Sequence, residues 1–346
     1  MKKNINFYIL IYLTILFFFS AFFLYQKHDV SNDSTISEWL INYEGGFTKR
    51  GLIGQISIYF SNFFLIKLRD TILIFQTLII GIYFILIYQF LKNIFYNKIF
   101  ILAIFTPIFV LYPVAEIEVL ARKEIFIFIY FLTYTFIPVN QKNLKFFYKL
   151  YFLPIAMLIW EPVIFFILYW FFIDLLVNKI YKNIRKIFEE LLYYIPTIII
   201  ALHFIFFPIT QSNHLIMSNF LEKNFGEICY MSCALLNDKS TLIQQFQGNL
   251  SSYSLEVFIR YFLIILIGFG PLFFIFYNSN LKNKKISIID KINFLNVLGI
   301  ILILLSPVLL LFAMGYDWGR WVHISYVMTF ILFLFLVKNG FIKINI

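Results

Sequence analysis

A short glycine-rich segment carries two adjacent cations. Gly45, Gly46 and Gly51 surround Lys49 and Arg50. Glycine permits positive φ and a close backbone approach, and backbone N–H groups together with a guanidinium fork can wrap an anionic group such as a phosphate. The Gly-Lys-Ser/Thr ending of a nucleotide-binding P-loop is missing. The segment therefore predicts an anion site of another kind, with a basic anchor against lipid headgroups as the alternative.

Charges are dense again at 116–124. Arg122 and Lys123 lie beside the start of an apolar run, where both could reach a phosphate. On a helix, Glu118 and Arg122 would be i,i+4 neighbours and could pair. The alternative is a solvated loop helix whose charges satisfy one another.

A carboxylate lies in the middle of the apolar run 150–176. Glu161 lies there between Trp160 and Pro162. Proline explains a kink, but an acid at membrane depth is costly and normally faces a cavity or a partner. Glu161 is therefore a candidate functional residue, with a buried structural ion pair as the alternative.

A fourth polar segment, 315–323, is a short turn between two apolar runs. It contains Asp317, Arg320 and His323, and Asp317 can pair locally with Arg320. Its tryptophans suit a membrane interface. A plain interfacial turn would not need an acid, an arginine and a histidine together, so this segment too is a candidate site.

The elements that position these charges are predicted to be membrane spans. The 346 residues are 62% hydrophobic, 22% aromatic and 13% charged, whereas soluble domains are about 45–50% apolar and about 25% charged. This composition excludes a water-soluble globule, a disordered chain, a fibre and a nucleic-acid-binding domain. For the net charge of +10, location matters more than the total.

Apolar runs of about 20 residues can cross a bilayer as helices. The predicted fold is an all-α polytopic membrane protein, a bundle of about ten transmembrane helices in one membrane domain, 1–346. Two outer loops, 26–70 and 210–256, would carry short interfacial helices, and no soluble domain is predicted. The spans are 7–25, 71–91, 99–114, 125–139, 150–176 (broken, two crossings), 191–209, 257–277, 292–314 and 323–338.

Sidedness follows from the basic loops. With the N-terminus inside, the inner segments hold 17 Lys/Arg and 4 acids, and the rest of the chain holds 11 and 14. This asymmetry is the one that the positive-inside rule predicts. It places both termini in the cytoplasm and all four polar segments on the outer face. The inner segments are 1–6, 92–98, 140–149, 174–190, 279–291 and 338–346.

Convergence of the four segments would make one outer site. Arginine stays charged and matches phosphate oxygens bidentately, so the composition suits a lipid-linked phosphate or pyrophosphate donor. A carboxylate could take the proton from an attacking sugar hydroxyl. No cofactor is predicted, a divalent metal is left open, and the donor would supply the energy. The candidate catalytic residues are Glu44, Glu161 and Asp317; the candidate donor-binding residues are Lys49, Arg50, Arg122, Lys123, Arg320 and His323; the loop backbone is that of Gly45, Gly46 and Gly51.

The two cysteines, Cys229 and Cys233, lie one helical turn apart in the second outer loop. An oxidising compartment would permit a bridge between them, and two ordinary thiols are the alternative. Four-residue spacing without a histidine partner is not a zinc signature.

The run Gly45-Gly46-Phe47-Thr48-Lys49-Arg50-Gly51-Leu52, upstream of Glu/Arg loops and of Asp317-Trp318-Gly319-Arg320-Trp321, resembles polytopic proteins of bacterial surface-polysaccharide clusters. These are Wzy-like O-antigen or capsule polymerases and related GT-C-like integral-membrane glycosyltransferases. The resemblance implies joining of undecaprenyl-pyrophosphate-linked repeat units on the periplasmic face of the inner membrane. It also implies pyrophosphate binding by Arg50, Arg122 and Arg320, with membrane lipids and a chain-length regulator protein as partners.

The modest 210–256 loop departs from the polymerases, which often have one very large periplasmic loop. Its basic residues are Lys223 and Lys239. In the related transferases an acid of the first outer loop acts as base, and Glu44 or Glu38 matches that position. The alternative function is a transporter or flippase of lipid-linked oligosaccharide. A scaffold or acyl-modifying partner ranks lowest, because the early histidine expected of an acyltransferase is represented by the isolated His28 alone.

Overall fold

The computed structural model describes residues 2–30, 33–92, 98–178, 180, 183–237, 242–281, 294–315 and 317–344. Tyr316, Lys239 and most of the predicted inner segments 92–98 and 279–291 lie outside these residues.

The described chain is predominantly helical, with one short antiparallel strand pair. The α-helices are α1 Lys2–His28, α2 Ser34–Ser37, α3 Gly51–Phe64, α4 Leu68–Leu91, α5 Lys98–Phe105, α6 Tyr112–Ala115, α7 Ile125–Phe136, α8 Lys142–Phe147, α9 Leu153–Ile159, α10 Ile167–Val177, α11 Ile184–Leu192, α12 Ile195–Phe206, α13 Gln211–Phe225, α14 Leu242–Asn249, α15 Leu255–Tyr277, α16 Phe294–Leu305, α17 Leu309–Met314 and α18 Trp318–Lys338. The strands are β1 Ser279–Leu281 and β2 Ile342–Ile344, paired with Ser279 opposite Ile344.

Shorter helical turns link several of these helices. The π-helical segments are Pro107–Leu111 and Tyr148–Phe152, and the 3₁₀ segments are Ile117–Val119, Glu161–Phe166, Ala234–Asn237, Leu250–Ser252 and Ser306–Val308.

Four of the described helices are long and apolar enough to cross a membrane: Ile5–His28, Leu68–Leu91, Leu255–Tyr277 and Trp318–Lys338. A fifth span is possible by length if α11 and α12, bent by 57° at their junction, act as one. Shorter apolar helices cover Ile99–Ala115, Ile125–Phe136 and Leu298–Met314. The predicted helical fold is therefore confirmed, and four or five of the described helices are long and apolar enough to span a membrane, whereas the number of ten crossings stays a prediction.

The chain divides into two compact units. Unit 1 comprises Met1–Tyr8, Leu91–Tyr112 and Ser240–Ile346, and unit 2 comprises Ile9–Phe90 and Pro113–Lys239. The candidate residues are thus divided: Asp317, Arg320 and His323 belong to unit 1, and the others belong to unit 2.

The core of unit 1 is built around α18, which is buried along most of its length. A break in the neighbouring helix supplies polar contacts to it. Pro107 has no N–H to donate to the carbonyl of Ala103 four residues earlier, and that carbonyl instead accepts a hydrogen bond from the Tyr326 hydroxyl at 2.7 Å. The Ala103 carbonyl, which has no helical donor because of Pro107, therefore binds Tyr326 and holds α18 against the break.

Unit 2 contains the break predicted in 150–176. Helix α9 ends at Ile159, Trp160 is extended (φ −153°, ψ 101°), and a 3₁₀ turn begins at Glu161. Trp160 is fully buried, and so is Trp39, whose indole donates to the Ala121 carbonyl at 2.9 Å. These contacts fix the loop between α1 and α3 against the 116–124 segment.

Candidate functional site

The carboxylate of Glu38 joins two of the predicted arginines. Its Oε1 accepts from Arg50 Nη1 at 3.3 Å and from Arg122 Nε at 3.2 Å, with a closer contact to Arg122 Nη2. Its Oε2 accepts from the Lys123 backbone N–H at 3.3 Å. Residues that are 12 and 84 positions away in sequence therefore meet at one buried acid.

The guanidinium of Arg50 also binds Glu161 as a fork. Nε donates to Oε2 at 2.6 Å and Nη2 donates to Oε1 at 2.7 Å. Lys49 Nζ lies 3.8 Å from the same carboxylate. This bidentate geometry is the strong form of an arginine–carboxylate contact, so Glu161 has a specific cationic partner, as an acid in an apolar run requires.

We name the group formed by Glu38, Lys49, Arg50, Arg122, Lys123 and Glu161 the arginine cluster. Four of its side chains are partly exposed to solvent: the exposed fraction is 43% for Lys49, 19% for Arg50, 18% for Glu161 and 12% for Arg122, against 0% for Glu38. The buried Glu38 therefore holds the arginines from the inner side, and the cations are accessible from the other side.

Local backbone geometry positions each member. Asp33 caps the short helix α2 by accepting from the Thr35 N–H, and Glu38 follows directly at the end of that helix. Arg50 has φ 62° and precedes α3. A left-handed conformation is uncommon for a residue other than glycine, and here it turns the Arg50 side chain into the ion pairs with Glu38 and Glu161.

Lys123 is the fully buried cation of this cluster, and its Nζ donates to the Arg50 carbonyl. Burial lowers the pKa of Lys123 to about 7, although the charge of Glu38 acts in the opposite direction. For Arg50, burial also lowers the pKa, but the charges of Glu161 and Glu38 outweigh it and leave the pKa above its ordinary value. Arg50 is thus a permanent cation, and the charge of Lys123 is sensitive to pH near neutrality.

The loop that follows α13 closes one side of the arginine cluster. Ser232 Oγ accepts from Arg122 Nη2 at 3.4 Å, and Arg69 Nε donates to Glu227 Oε1 at 2.6 Å. This loop holds the two cysteines, and Cys229 and Cys233 are joined by a disulfide. The bridge is therefore the form found, of the two that the sequence left open.

The glycines serve close packing in the structure. A Cβ on Gly45 would lie 2.0 Å from the Asn213 carbonyl oxygen, and one on Gly51 would lie 2.2 Å from the Tyr43 ring. Gly46 has φ 111°, and its N–H donates to the Tyr43 carbonyl at 2.9 Å. These residues seat the 43–51 loop against α13, and the Gly46 N–H is used within the loop.

Glu44 takes a different position from the other candidate acids. It is exposed, and its Oε1 accepts from the Gln55 side chain at 2.9 Å. Of the two first-loop acids that match the resemblance, Glu38 is the one bonded to the arginines.

The expected pairing of Glu118 with Arg122 is wrong. Glu118 lies 3.0 Å from Lys27 Nζ and accepts from Ser34, while Arg122 pairs with Glu38. An i,i+4 contact between Glu118 and Arg122 would require a continuous helix. The backbone instead forms a 3₁₀ turn that ends at Val119, and Ala121 then has φ 54°, so the two side chains are not helical neighbours.

The third predicted arginine lies in unit 1. Arg320 Nη2 is 3.1 Å from Asp317 Oδ2, which is the local pair that the sequence predicts, and the guanidinium lies over the Trp321 ring, 4.8 Å from its centroid. His323 is buried, with Nδ1 2.8 Å from the Ile108 carbonyl and its ring stacked on Tyr112. The structure brings together Arg50, Arg122 and Glu161 in unit 2, and Asp317 with Arg320 in unit 1.

Sequence reasoning missed a second ionic group in unit 2. Lys149 Nζ lies 2.9 Å from Asp174 Oδ2 and also contacts Glu190, and Lys145 Nζ lies 4.0 Å from Asp174 Oδ1. We name these four residues the lysine cluster. In the sequence these four residues lie in the predicted inner segments, and the one signal that distinguishes them is the position of Asp174 inside the apolar run 150–176.

Comparisons of the chain with protein-family models, with curated proteins and with solved structures find no match.

Proposed function

We propose that the protein is a membrane glycosyltransferase of the bacterial inner membrane that uses an undecaprenyl-(pyro)phosphate-linked sugar donor on the outer face. The most fitting reaction is polymerisation of O-antigen or capsule repeat units. The observation that carries the proposal is the arginine cluster, in which Arg50 and Arg122 share the buried Glu38 and Arg50 holds Glu161 as a fork.

The bidentate face of Arg50 is the phosphate-binding element of this proposal. A phosphate presents the same paired oxygens as a carboxylate, so a donor phosphate could take the place of Glu161. Lys49, the most exposed cation of the cluster, would guide the anion in. Glu38 would keep Arg50 and Arg122 in place during the exchange, because it binds both from the buried side.

Displacement of Glu161 would couple donor binding to catalysis. The released carboxylate would accept the proton of the acceptor sugar hydroxyl. The hydroxyl oxygen would form the new bond to the donor anomeric carbon as the bond from that carbon to the phosphate oxygen breaks. The leaving lipid phosphate would keep the electron pair, and the cations would stabilise its charge.

The test uses a host strain deleted for the gene and complemented with the full-length chain. Arg50→Ala should shorten the surface glycan to single repeats, because the fork is lost. Arg185→Ala is the matched control, since Arg185 is 87% exposed and lies in α11, outside the cluster. Equal membrane levels of the two variants are checked by immunoblot, and a normal glycan length with Arg50→Ala would contradict the proposal.

A second candidate function is transport of lipid-linked oligosaccharide. The observation that favours it is the pair of broken helices, one at Pro107, where Phe109 is non-helical (φ −89°, ψ −122°), and one at Trp160. Broken helices are typical of secondary transporters. Purified chain in vesicles decides between the two functions: translocation of a labelled lipid-linked glycan without bond formation favours transport, and elongation favours the transferase.

A further inference from the structure

In unit 2, a histidine of α13 lies beside the two cysteines of the disulfide loop, and the three side chains form a donor set that suits a soft metal ion. The spacing of these residues in the sequence does not reveal this set. His214 in α13 lies beside both cysteines, although it precedes them by 15 and 19 residues. Its Nε2 is 3.4 Å from Cys229 Sγ and 3.0 Å from the Cys233 carbonyl oxygen. The three ligand atoms, His Nε2 and the two Sγ atoms, all lie within 4.8 Å of one another.

We propose that His214, Cys229 and Cys233 form a binding site for a soft divalent cation, Zn²⁺, when the disulfide is reduced. One imidazole nitrogen and two thiolates are a donor set that Zn²⁺ favours, and three protein ligands leave a fourth tetrahedral position open. The proposal does not depend on the proposed transferase function.

The geometry requires only a small rearrangement. Two sulfurs bound to one tetrahedral Zn²⁺ at about 2.3 Å each are roughly 3.8 Å apart, and the imidazole is already near that distance from Cys229. The sulfurs therefore need to separate after the disulfide breaks, while His214 stays where α13 holds it. His214 and Cys233 are both buried, whereas Cys229 is partly accessible.

The reaction has two steps. A dithiol reductant attacks the disulfide, forms its own internal disulfide, and leaves Cys229 and Cys233 as thiols. Zn²⁺ then binds both sulfurs with release of two protons, because thiolates are the ligands. In the disulfide form Nε2 faces a carbonyl oxygen and carries the proton, so metal binding moves that proton to Nδ1 and frees the Nε2 lone pair.

The disulfide closes a loop with a sequence separation of 4. Chain-entropy stabilisation of a cross-link grows with loop length, so this short bridge gains less from it than a long one would. Cys229 is its partly accessible end, where a reductant can attack. Ser232, next to Cys233, contacts Arg122, so the site lies beside the arginine cluster.

The test uses the full-length chain purified in detergent, whose two cysteines are its whole thiol content. The protein is reduced with a phosphine, exchanged into anaerobic buffer, incubated with Zn²⁺ alone and desalted, and bound zinc is measured by plasma mass spectrometry. We expect about one Zn²⁺ per reduced chain, none on the oxidised chain, and loss of binding in His214→Ala and in the double variant Cys229→Ser with Cys233→Ser. His203→Ala is the matched control and should retain the metal, because the His203 ring, on α12, lies tilted against Phe47 and stacked on Phe207.

A measurement on the native sequence guards against variants that fail to fold. Reduced membranes are treated with a maleimide with and without Zn²⁺, and zinc should protect both thiols from alkylation. The proposal is overturned if reduced native protein retains no more zinc than the double cysteine variant, if His214→Ala binds as much as the native chain, or if zinc gives no protection.

Discussion

Unit 2 contains two ionic clusters that differ in their donor groups and in their exposure to solvent. The arginine cluster uses guanidinium forks and leaves Lys49, Arg50, Arg122 and Glu161 partly accessible. In the lysine cluster, both lysines are 2% exposed and Asp174 is 0% exposed. The Tyr134 hydroxyl adds hydrogen bonds to both oxygens of Asp174, at 2.5 and 2.6 Å.

The two clusters differ in exposure and in donor groups, and this difference distinguishes a group suited to binding a ligand from one suited to stabilising the fold. Guanidinium offers bidentate donors that a phosphate can take over from a carboxylate, and the partly open cluster lets such an anion approach. The lysine cluster is closed and balanced, two cations against two acids, so exchange of a partner would leave a buried charge without compensation. We therefore propose ligand binding for the first group and a stabilising role for the second.

The first prediction has the strongest effect and tests whether the lysine cluster stabilises the fold. Asp174→Asn should lower the free energy of unfolding by about 3–5 kcal/mol, because it leaves both lysines buried without their shared carboxylate. Thermal unfolding of the purified chain, followed by tryptophan fluorescence, measures the loss. Adding Lys149→Met should recover part of it, and an unchanged melting temperature in Asp174→Asn would remove the distinction between the two groups.

Replacement of the proposed base should have the next largest effect. Glu161→Gln keeps the size of the side chain and removes its charge, so glycan elongation should fall by about 10²–10⁴-fold while donor binding persists, since Arg50 is released. Elongation is assayed with lipid-linked donor extracted from the deletion strain. Glu189→Gln, at an acid that is 55% exposed on α11, is the control. A larger loss in Glu44→Gln than in Glu161→Gln would move the role of base to Glu44.

The third prediction concerns the bidentate contact of the Arg50 guanidinium. Arg50→Ala should reduce elongation by about 10²–10³-fold through loss of charge stabilisation on the leaving phosphate. Arg50→Lys should recover little, because an ammonium cannot bind two oxygens as a planar fork. The ratio of elongation rates of the two variants is the readout, and full activity of Arg50→Lys would show that charge alone suffices.

The smallest effect is a slope of stability with pH. The pKa of Lys123 is lowered to about 7 by burial, whereas an unfolded lysine titrates near 10.4. Between these values the unfolded chain binds a proton that the folded chain does not, so stability should rise with pH by at most about 1.4 kcal/mol per pH unit. Melting temperatures from pH 7 to pH 9 measure the slope. Lys123→Met should flatten it, and a stability that falls over this window in the native chain would contradict the assignment.

Hydropathy was enough to locate the long helices, because membrane spans are set by local composition. The predicted run 71–91 lies within α4 Leu68–Leu91, and 257–277 lies within α15 Leu255–Tyr277. The kink at Trp160 was also predictable, since proline cannot continue the hydrogen-bond ladder.

The partners of the charged residues were not predictable from local sequence. Glu38 and Arg122 are 84 residues apart, and His214 lies 15 residues before Cys229. Local reasoning instead paired Glu118 with Arg122, which the positive φ of Ala121 prevents. Spacing rules describe neighbours on one element, whereas these contacts depend on how separate elements pack.

The most direct test of the central claim is the affinity of the purified chain for undecaprenyl pyrophosphate in nanodiscs, measured by native mass spectrometry. We expect Arg50→Ala and Arg122→Ala each to weaken binding at least about tenfold, which corresponds to about 1.4 kcal/mol, and Lys149→Met to leave it unchanged. Equal affinity of the native chain and both arginine variants, or a loss in Lys149→Met alone, would contradict the assignment of phosphate binding to the arginine cluster.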